Sequence, residues 1–296
     1  NLLRREVTAY ASKATGMQIQ VERIDLRFPL NLLVRGVEVI QQPDTLLSLE
    51  SLNVRVQAWP LVKGKVEVDE VTLSQVAFNS ANLIEGMKIK GVLGRFFLQS
   101  HGVDLSNELA VINQTELSDT HVQMLMNDTT TTPKDTTASA PVNWKVDLHK
   151  LKLKNVSFSM QLPADSMRMA AHIGEAFIND AQADLKNQFY ELKQFLLSGS
   201  SANYDTGAAK PGEGFDASHI AVRDIRIGLD SLLYKGRDMN AVIREFSMNE
   251  RSGLSITSLT GRAFSNDSII RIPGIKLQTP HSEIDLSAQT YWELVN

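Results

Sequence analysis

Asp216, Ser218 and His219 are the residue types of an orienting carboxylate, a nucleophile and a general base, set within four positions of one another. A triad needs those groups to converge on one point, which neighbours in a single loop cannot do by themselves. The six histidines, His101, His121, His149, His172, His219 and His281, are scattered with no ligand spacing, and there is no cysteine. A metal centre is therefore not expected, and thiolate sites and disulfides are excluded. The stretch EGMKIKGVLGR holds Gly86, Gly91 and Gly94 but lacks the closing Lys-Ser/Thr of a phosphate loop, so these glycines read as strand bends. Lys145, Lys150, Lys152 and Lys154 form a basic cluster that suits phospholipid headgroups or, the expected case, a solvated strand face or guarded edge. No nucleophile, base and cavity can be named together, so neither an enzyme nor a catalytic residue is expected.

Asp followed by Ser or Thr, then by an apolar residue or Thr, places hydroxyls at Thr45, Thr129, Thr136, Ser166, Ser231 and Ser268. Ordinary composition gives roughly one or two such triplets. The pattern is similar to an O-glycosylation signal of some periplasmic proteins of Gram-negative bacteria, which makes these six candidate modification sites. Asp-Ser/Thr also favours turns, and both readings stand.

Composition narrows the partners. The net charge is −4 and aromatic residues make up 6%, so there is neither a basic footprint nor a stacking platform for nucleic acid. Hydrophobic residues at 43% are normal for a folded chain. No apolar run approaches the ~18 residues that span a bilayer. The first residue is Asn1 rather than Met, and the expectation is that a signal peptide or membrane helix preceded it.

The elements follow from periodicity. Leu3, Val7, Tyr10, Ala11 and Ala14 stripe a helix over residues 2–15, and Gly16 stands where a left-handed cap belongs. Almost everything after it alternates like strand, including 86–99, 108–118 and 120–126. Residues 127–141, NDTTTTPKDTTASAP, have no apolar periodicity and read as a polar linker that a short Gly/Ser link could replace with little change in melting temperature. A second polar loop spans 203–216. Between 175 and 197 a helical stripe competes with strand alternation, and strand is the reading taken. The expected organisation is a helix at 1–16, a β region at 17–126, the linker at 127–141 and a second β region at 142–296.

One rhythm recurs. Val66, Val68, Val71, Leu73, Val76 and Phe78 are spaced 2, 3, 2, 3, 2, and Val146, Leu148, Leu151, Leu153, Val156 and Phe158 repeat that spacing 80 residues later. A third, partial copy is Ile220, Val222, Ile225 and Ile227. A strand keeps such residues on one face if each three-residue step holds a bulge or bend. The rhythm thus predicts long curved strands with one apolar side, and these twelve residues are the candidate lining. A helix of 14 residues reaches only ~21 Å, too little to cover so large a face. Either two sheets close into a sandwich, or the sheet curls into a trough that meets something apolar.

The region from Tyr10 to Asn79 resembles the N-terminal part of the AsmA-like family, most closely its TamB branch. The matching features are the helix ending in Thr15-Gly16, Arg23-Ile24-Asp25-Leu26, and Leu32 to Val39 with Gly36. They continue through Leu46-Leu47, Leu52-Asn53-Val54, Trp59-Pro60-Leu61, Gly64 and the staggered run itself. The specific match covers residues 8–79. The resemblance implies a mainly β, elongated, curved antiparallel sheet, a repeating β-groove, with one N-terminal helix. It also implies an inner-membrane anchor upstream, a periplasmic location and a groove that carries phospholipid acyl chains between membranes. The family's partner is the outer-membrane barrel subunit of the translocation and assembly module, bound through a C-terminal region not in this chain. The alternatives are a scaffold that offers strand edges to barrel proteins, and a closed structural sandwich.

Overall fold

The computed structural model describes residues 2–28, 30–57, 68–104, 107–126, 143–207 and 210–294. Helix α1 spans Leu2–Thr15 and stops where Gly16 adopts a φ of +70°, its N–H donating to the Ser12 carbonyl at 2.9 Å. That is the glycine stop expected from the sequence. The strands that follow are β1 (Gln18–Arg27), β2 (Asn31–Gln41), β3 (Asp44–Val56), β4 (Val68–Asn79) and β5 (Met87–Asp104). Next come β6 (Leu109–Met126), β7 (Lys145–Leu162), β8 (Met167–Asp184), β9 (Phe189–Asp205) and β10 (His219–Lys235). The last are β11 (Asp238–Glu250), β12 (Ser255–Ile256), β13 (Ser258–Ser265), β14 (Ile269–Gln278) and β15 (Glu283–Tyr291). All belong to one long curved sheet laid down in chain order, with β12 as a side branch on β11, and the sheet does not close into a barrel. The expected mainly β fold with one N-terminal helix is what the chain forms.

Two local expectations resolve simply. Between 175 and 197 the chain makes the end of β8, a turn with Gln188 at φ +50°, and the start of β9. The helical stripe loses because Ala176 and Ile178 face Leu197 and Phe195 on β9, and alternate residues turn to the other side. Residues 108–118 and 120–126, expected as two strands, run as the single strand β6 with Asp119 at φ +51° at the division.

Neighbouring strands are antiparallel at every described pair but β6–β7, where Leu109 stands beside Lys145 and Leu125 beside Gln161. The linker at 127–141 lies outside the described residues, but its role is constrained by what flanks it. Met126 ends on one long rim of the sheet, and Lys145 begins on the opposite rim. Parallel neighbours require a crossover of a dozen or more residues. The expectation that a short link could replace this segment is therefore corrected. Composition shows a polar segment but not the direction of the strands it joins.

One three-residue step in each copy, Leu73 to Val76 and Leu153 to Val156, coincides with a crease that runs across the sheet. Glu22, Gly36, Glu50, Gln75, Gly94, Asp119, Asn155, Gly174 and Gly199 occupy equivalent places on β1 to β9, each passed over between two aligned pairs. Gly36, Gln75, Asp119, Asn155 and Gly199 have φ between +50° and +59°. A left-handed residue resets the alternation, so the next apolar side chain returns to the same face. The register of β4–β5 and β7–β8 does not shift there. These two steps are thus bends shared by facing strands, whereas the step from Val68 to Val71 holds a one-strand bulge, with Val56 and Arg55 facing Val68 and Glu70. Close approach fixes two of the glycines. A Cβ on Gly174 would sit 2.6 Å from the Gly199 carbonyl oxygen, and one on Gly94 would sit 2.7 Å from the Asp119 Cβ.

The apolar face is the sheltered one. Among residues with an aligned partner, the buried apolar side chains Ile24, Leu49, Ala110, Leu162 and Ala176 all lie on it. The helix does not supply this shelter, because α1 sits against the edge of β1. There Ser12 Oγ accepts the Ile19 N–H at 3.1 Å, and Arg4 Nη1 donates to the Glu22 carbonyl at 2.9 Å. The sheet's own curvature must provide the cover, so the apolar face is the concave one. Even so, no large side chain among the described residues falls below 2% exposure, which a closed two-layer core would produce.

Candidate functional site

The register stacks the two complete copies of the rhythm into common rows. Leu73 on β4 stands beside Phe96, then Leu117, then Leu153 on β7. Val71 leads in the same way through Leu98 and Thr115 to Leu151, and Val76 leads through Leu93 and Thr120 to Val156. Phe78 leads through Gly91 and Val122 to Phe158. Gly91 is small for a local reason: a Cβ there would lie 2.5 Å from the Phe78 ring. Val146 and Leu148 continue beside Ala110 and Ile112, while Val68 pairs with Val56 at the rim. Val66 lies outside the described residues. The described lining candidates are half-buried except Phe158, which is 38% exposed.

The third copy falls on the same face with its chain direction reversed. Ile227, Ile225 and Val222 occupy the rows of Leu153, Val156 and Phe158 by way of β8 and β9. Past it the rows run on through Leu229, Ile243, Gly261 and Ile275 to Leu286 on β15. The concave face thus extends from β1 to β15.

Three hydroxyls on this face turn back to the backbone. Thr120 Oγ1 donates to the Ser118 carbonyl at 3.1 Å, Ser200 Oγ to Ser198 at 3.1 Å, and Ser100 Oγ to Val68 at 2.6 Å. Most of what remains is hydrocarbon, with Thr115, Tyr190, Tyr204 and Tyr234 set among the rows. A long apolar molecule can lie there at no desolvation cost to the protein, whereas a charged one would find no partner along the rows.

Charges occupy the convex face and the rims. Lys150, Lys152 and Lys154 alternate with the lining residues of β7 and point away from them. Lys152 stands between Glu116 and Phe177, Lys154 stands beside Glu175, and Lys145 Nζ reaches Asp184 at 3.2 Å. The cluster is therefore a solvated strand face rather than part of the trough. His149 Nδ1 bonds Asp180 at 3.1 Å, and that bond, followed by the charge of Lys193, holds the Asp180 carboxyl below its ordinary range.

One rim carries a hydrogen-bonded carboxylate cluster that the sequence touched only in part. Asp216 Oδ2 meets His219 Nδ1 at 2.9 Å, while Oδ1 accepts the Ser218 N–H at 2.9 Å. Asp216 and His219 do come together, but Ser218 joins them through its backbone. Nearby, Glu250 accepts N–H groups from Ser252 at 2.6 Å and Ala221 at 3.1 Å, and Arg251 Nη2 donates to the His219 carbonyl at 2.7 Å. Hydrogen bonds from Ser252, then from Ala221, hold the Glu250 carboxyl down at about 2. Among the described residues no group of three or more His, Asp or Glu could hold a metal ion.

Of the candidate modification sites, Thr45, Ser166 and Ser268 are exposed near strand ends. Ser231 is half-buried and its Oγ accepts a bond from Asn240 Nδ2 at 3.0 Å. Thr129 and Thr136 lie outside the described residues. In comparisons with known proteins, no family model matches the chain, and no curated protein matches it at a significant level.

Proposed function

We propose that the concave face binds the acyl chains of phospholipids and serves as a conduit along which they pass between the inner and outer membranes of a Gram-negative envelope. The observation that carries this reading is the continuous apolar face from β1 to β15, curved and, among the described residues, not covered by a second layer. The energetics suit a conduit. Hiding a methylene from water is worth about 0.8 kcal/mol, more than 10 kcal/mol for a whole chain, and a bilayer provides the same shelter. A lipid moving from bilayer to trough therefore gains and loses little, and only the exposure between the two must be avoided.

The periplasmic setting, the upstream inner-membrane anchor and the outer-membrane barrel partner are supported by the resemblance of residues 8–79 to the AsmA-like family. A second reading has its own observation: among the described residues no strand pairs with the outer edge of β15, so that edge could accept a strand from a barrel protein. Mass spectrometry of an organic extract of the purified chain tests the first reading, with diacyl phospholipid the expected result. If no lipid copurifies, and photo-crosslinkers placed at Phe78 and Phe158 capture none from vesicles, the conduit is lost and the edge reading gains.

A further inference from the structure

We propose that the cleft between α1 and the edge of β1 is a headgroup site for anionic glycerophospholipids, and so the loading end of the trough; this rests on the acyl-chain reading. The cleft has a volume of about 670 Å3, and Arg4, Arg5, Thr8 and Ser12 line it from the helix, with Ile19 and Val21 from the strand. Ile19 and Val21 stand beside Val39 and Val37, so they are the first members of the apolar rows. A cationic wall therefore meets the end of a hydrocarbon floor. A diacyl lipid with a phosphate ester has that same division. A free phosphate has no use for the floor.

The arginines are available for the task. Arg4 spends one of its five N–H donors on the Glu22 carbonyl, which holds the guanidinium at the strand edge. Among the described residues Arg5 pairs only with Glu6, at 3.8 Å and with both side chains more than two-thirds exposed, an arrangement worth little to either. A guanidinium fork matches two phosphate oxygens, which a point charge does not. The Glu22 side chain lies over Gly36 and away from the cleft lining.

Uptake of pyrene-labelled lipids from phosphatidylcholine vesicles tests this, each label at the same trace level so that membrane charge stays constant. The probes are phosphatidylglycerol, phosphatidylcholine and diacylglycerol. The full chain should take up the phosphatidylglycerol several-fold faster than the phosphatidylcholine, with the advantage shrinking in 0.5 M salt. The Arg4→Gln/Arg5→Gln variant should lose the preference and keep its diacylglycerol uptake. Arg5→Gln alone, which leaves the Arg4–Glu22 bond in place, should lose part of it. Equal uptake of the two phospholipids by the parent, or a preference that survives in the double variant, overturns the headgroup site while diacylglycerol uptake keeps the trough. If not even diacylglycerol enters, the trough and this site fall together.

Discussion

β4 and β7 lie three strands apart, on opposite sides of the parallel joint between β6 and β7, and they carry the same apolar spacing into the same rows. The joints between them differ. Across β4–β5 the left-handed Gln75 faces Gly94, which is not left-handed, and across β7–β8 Asn155 faces Gly174 in the same way. At the parallel β6–β7 pair both crease residues are left-handed, and Asn155 Nδ2 donates to Asp119 Oδ1 at 2.8 Å. At the crease, positive φ falls only on strands that run toward one rim: β2, β4, β6, β7 and β9. A left-handed residue is chiral, so strand direction decides which member of a pair must adopt it. Where two neighbours run the same way, both must. Asp and Asn are the side chains that tolerate this and can also bridge the gap.

The comparison is broken most directly at the parallel joint. Replacing residues 127–141 by Gly-Ser leaves too few residues for a crossover, so β6 and β7 should separate. We expect thermal melting to fall by ten degrees or more or to split into two transitions. An unchanged melting curve would show that the parallel pair does not hold the halves together.

Next in size is the crease. Gly174→Ala brings a Cβ against backbone and should cost about 2 kcal/mol in urea unfolding, with Gly94→Ala close behind. Gly274→Ala, where nothing lies within 4 Å, should cost well under 1 kcal/mol. Equal costs at the three sites would remove the crease as a tight structural line.

The two copies can then be set against each other. Leu73→Asp and Leu153→Asp sit in one row, so both should fold and both should carry much less lipid. A charge in a closed core costs several kcal/mol, but in an open trough it still reaches water. Outright unfolding of either variant would indicate a closed interior. A large difference in retained lipid between the two would show that the halves are not one conduit.

The smallest effect is confined to the second half. Glu250 has a folded pKa of about 2, below its ordinary 4.5. It therefore stabilises its turn fully above about pH 4.5, and this contribution is lost as the pH falls from 4.5 toward 2. Protection of the Ala221 and Ser252 amides against exchange, relative to the intrinsic rate at each pH, should fall over that window in the parent. Glu250→Gln should be less protected throughout and lack this pH dependence.

The helix, its glycine stop and the apolar rows were legible in the sequence because each depends on spacing within a single element. At 175–197 spacing fitted both helix and strand, and the pairing of Ala176 and Ile178 with Leu197 and Phe195 decides between them. The direction of β7 was not legible, since a polar linker carries no pattern that tells which rim it returns to. The crease was half legible: the spacing revealed that alternation is reset at Gln75 and Asn155. Only the register revealed that Gly94 and Gly174 answer them from the facing strands. The cleft at Arg4 and Arg5 was missed, because its floor and its wall come from different elements and no motif spans both.

Because the crease crosses nine strands at equivalent positions, cross-section and length are independent properties of this molecule. Strand profile sets the bore, whereas strand number sets the reach, at about 4.8 Å per strand. Inserting three more strands with the same bend would extend the duct by roughly 14 Å without altering its gauge. A chain built this way can be matched to the distance between two membranes by counting strands, much as a pipe is cut to fit a gap.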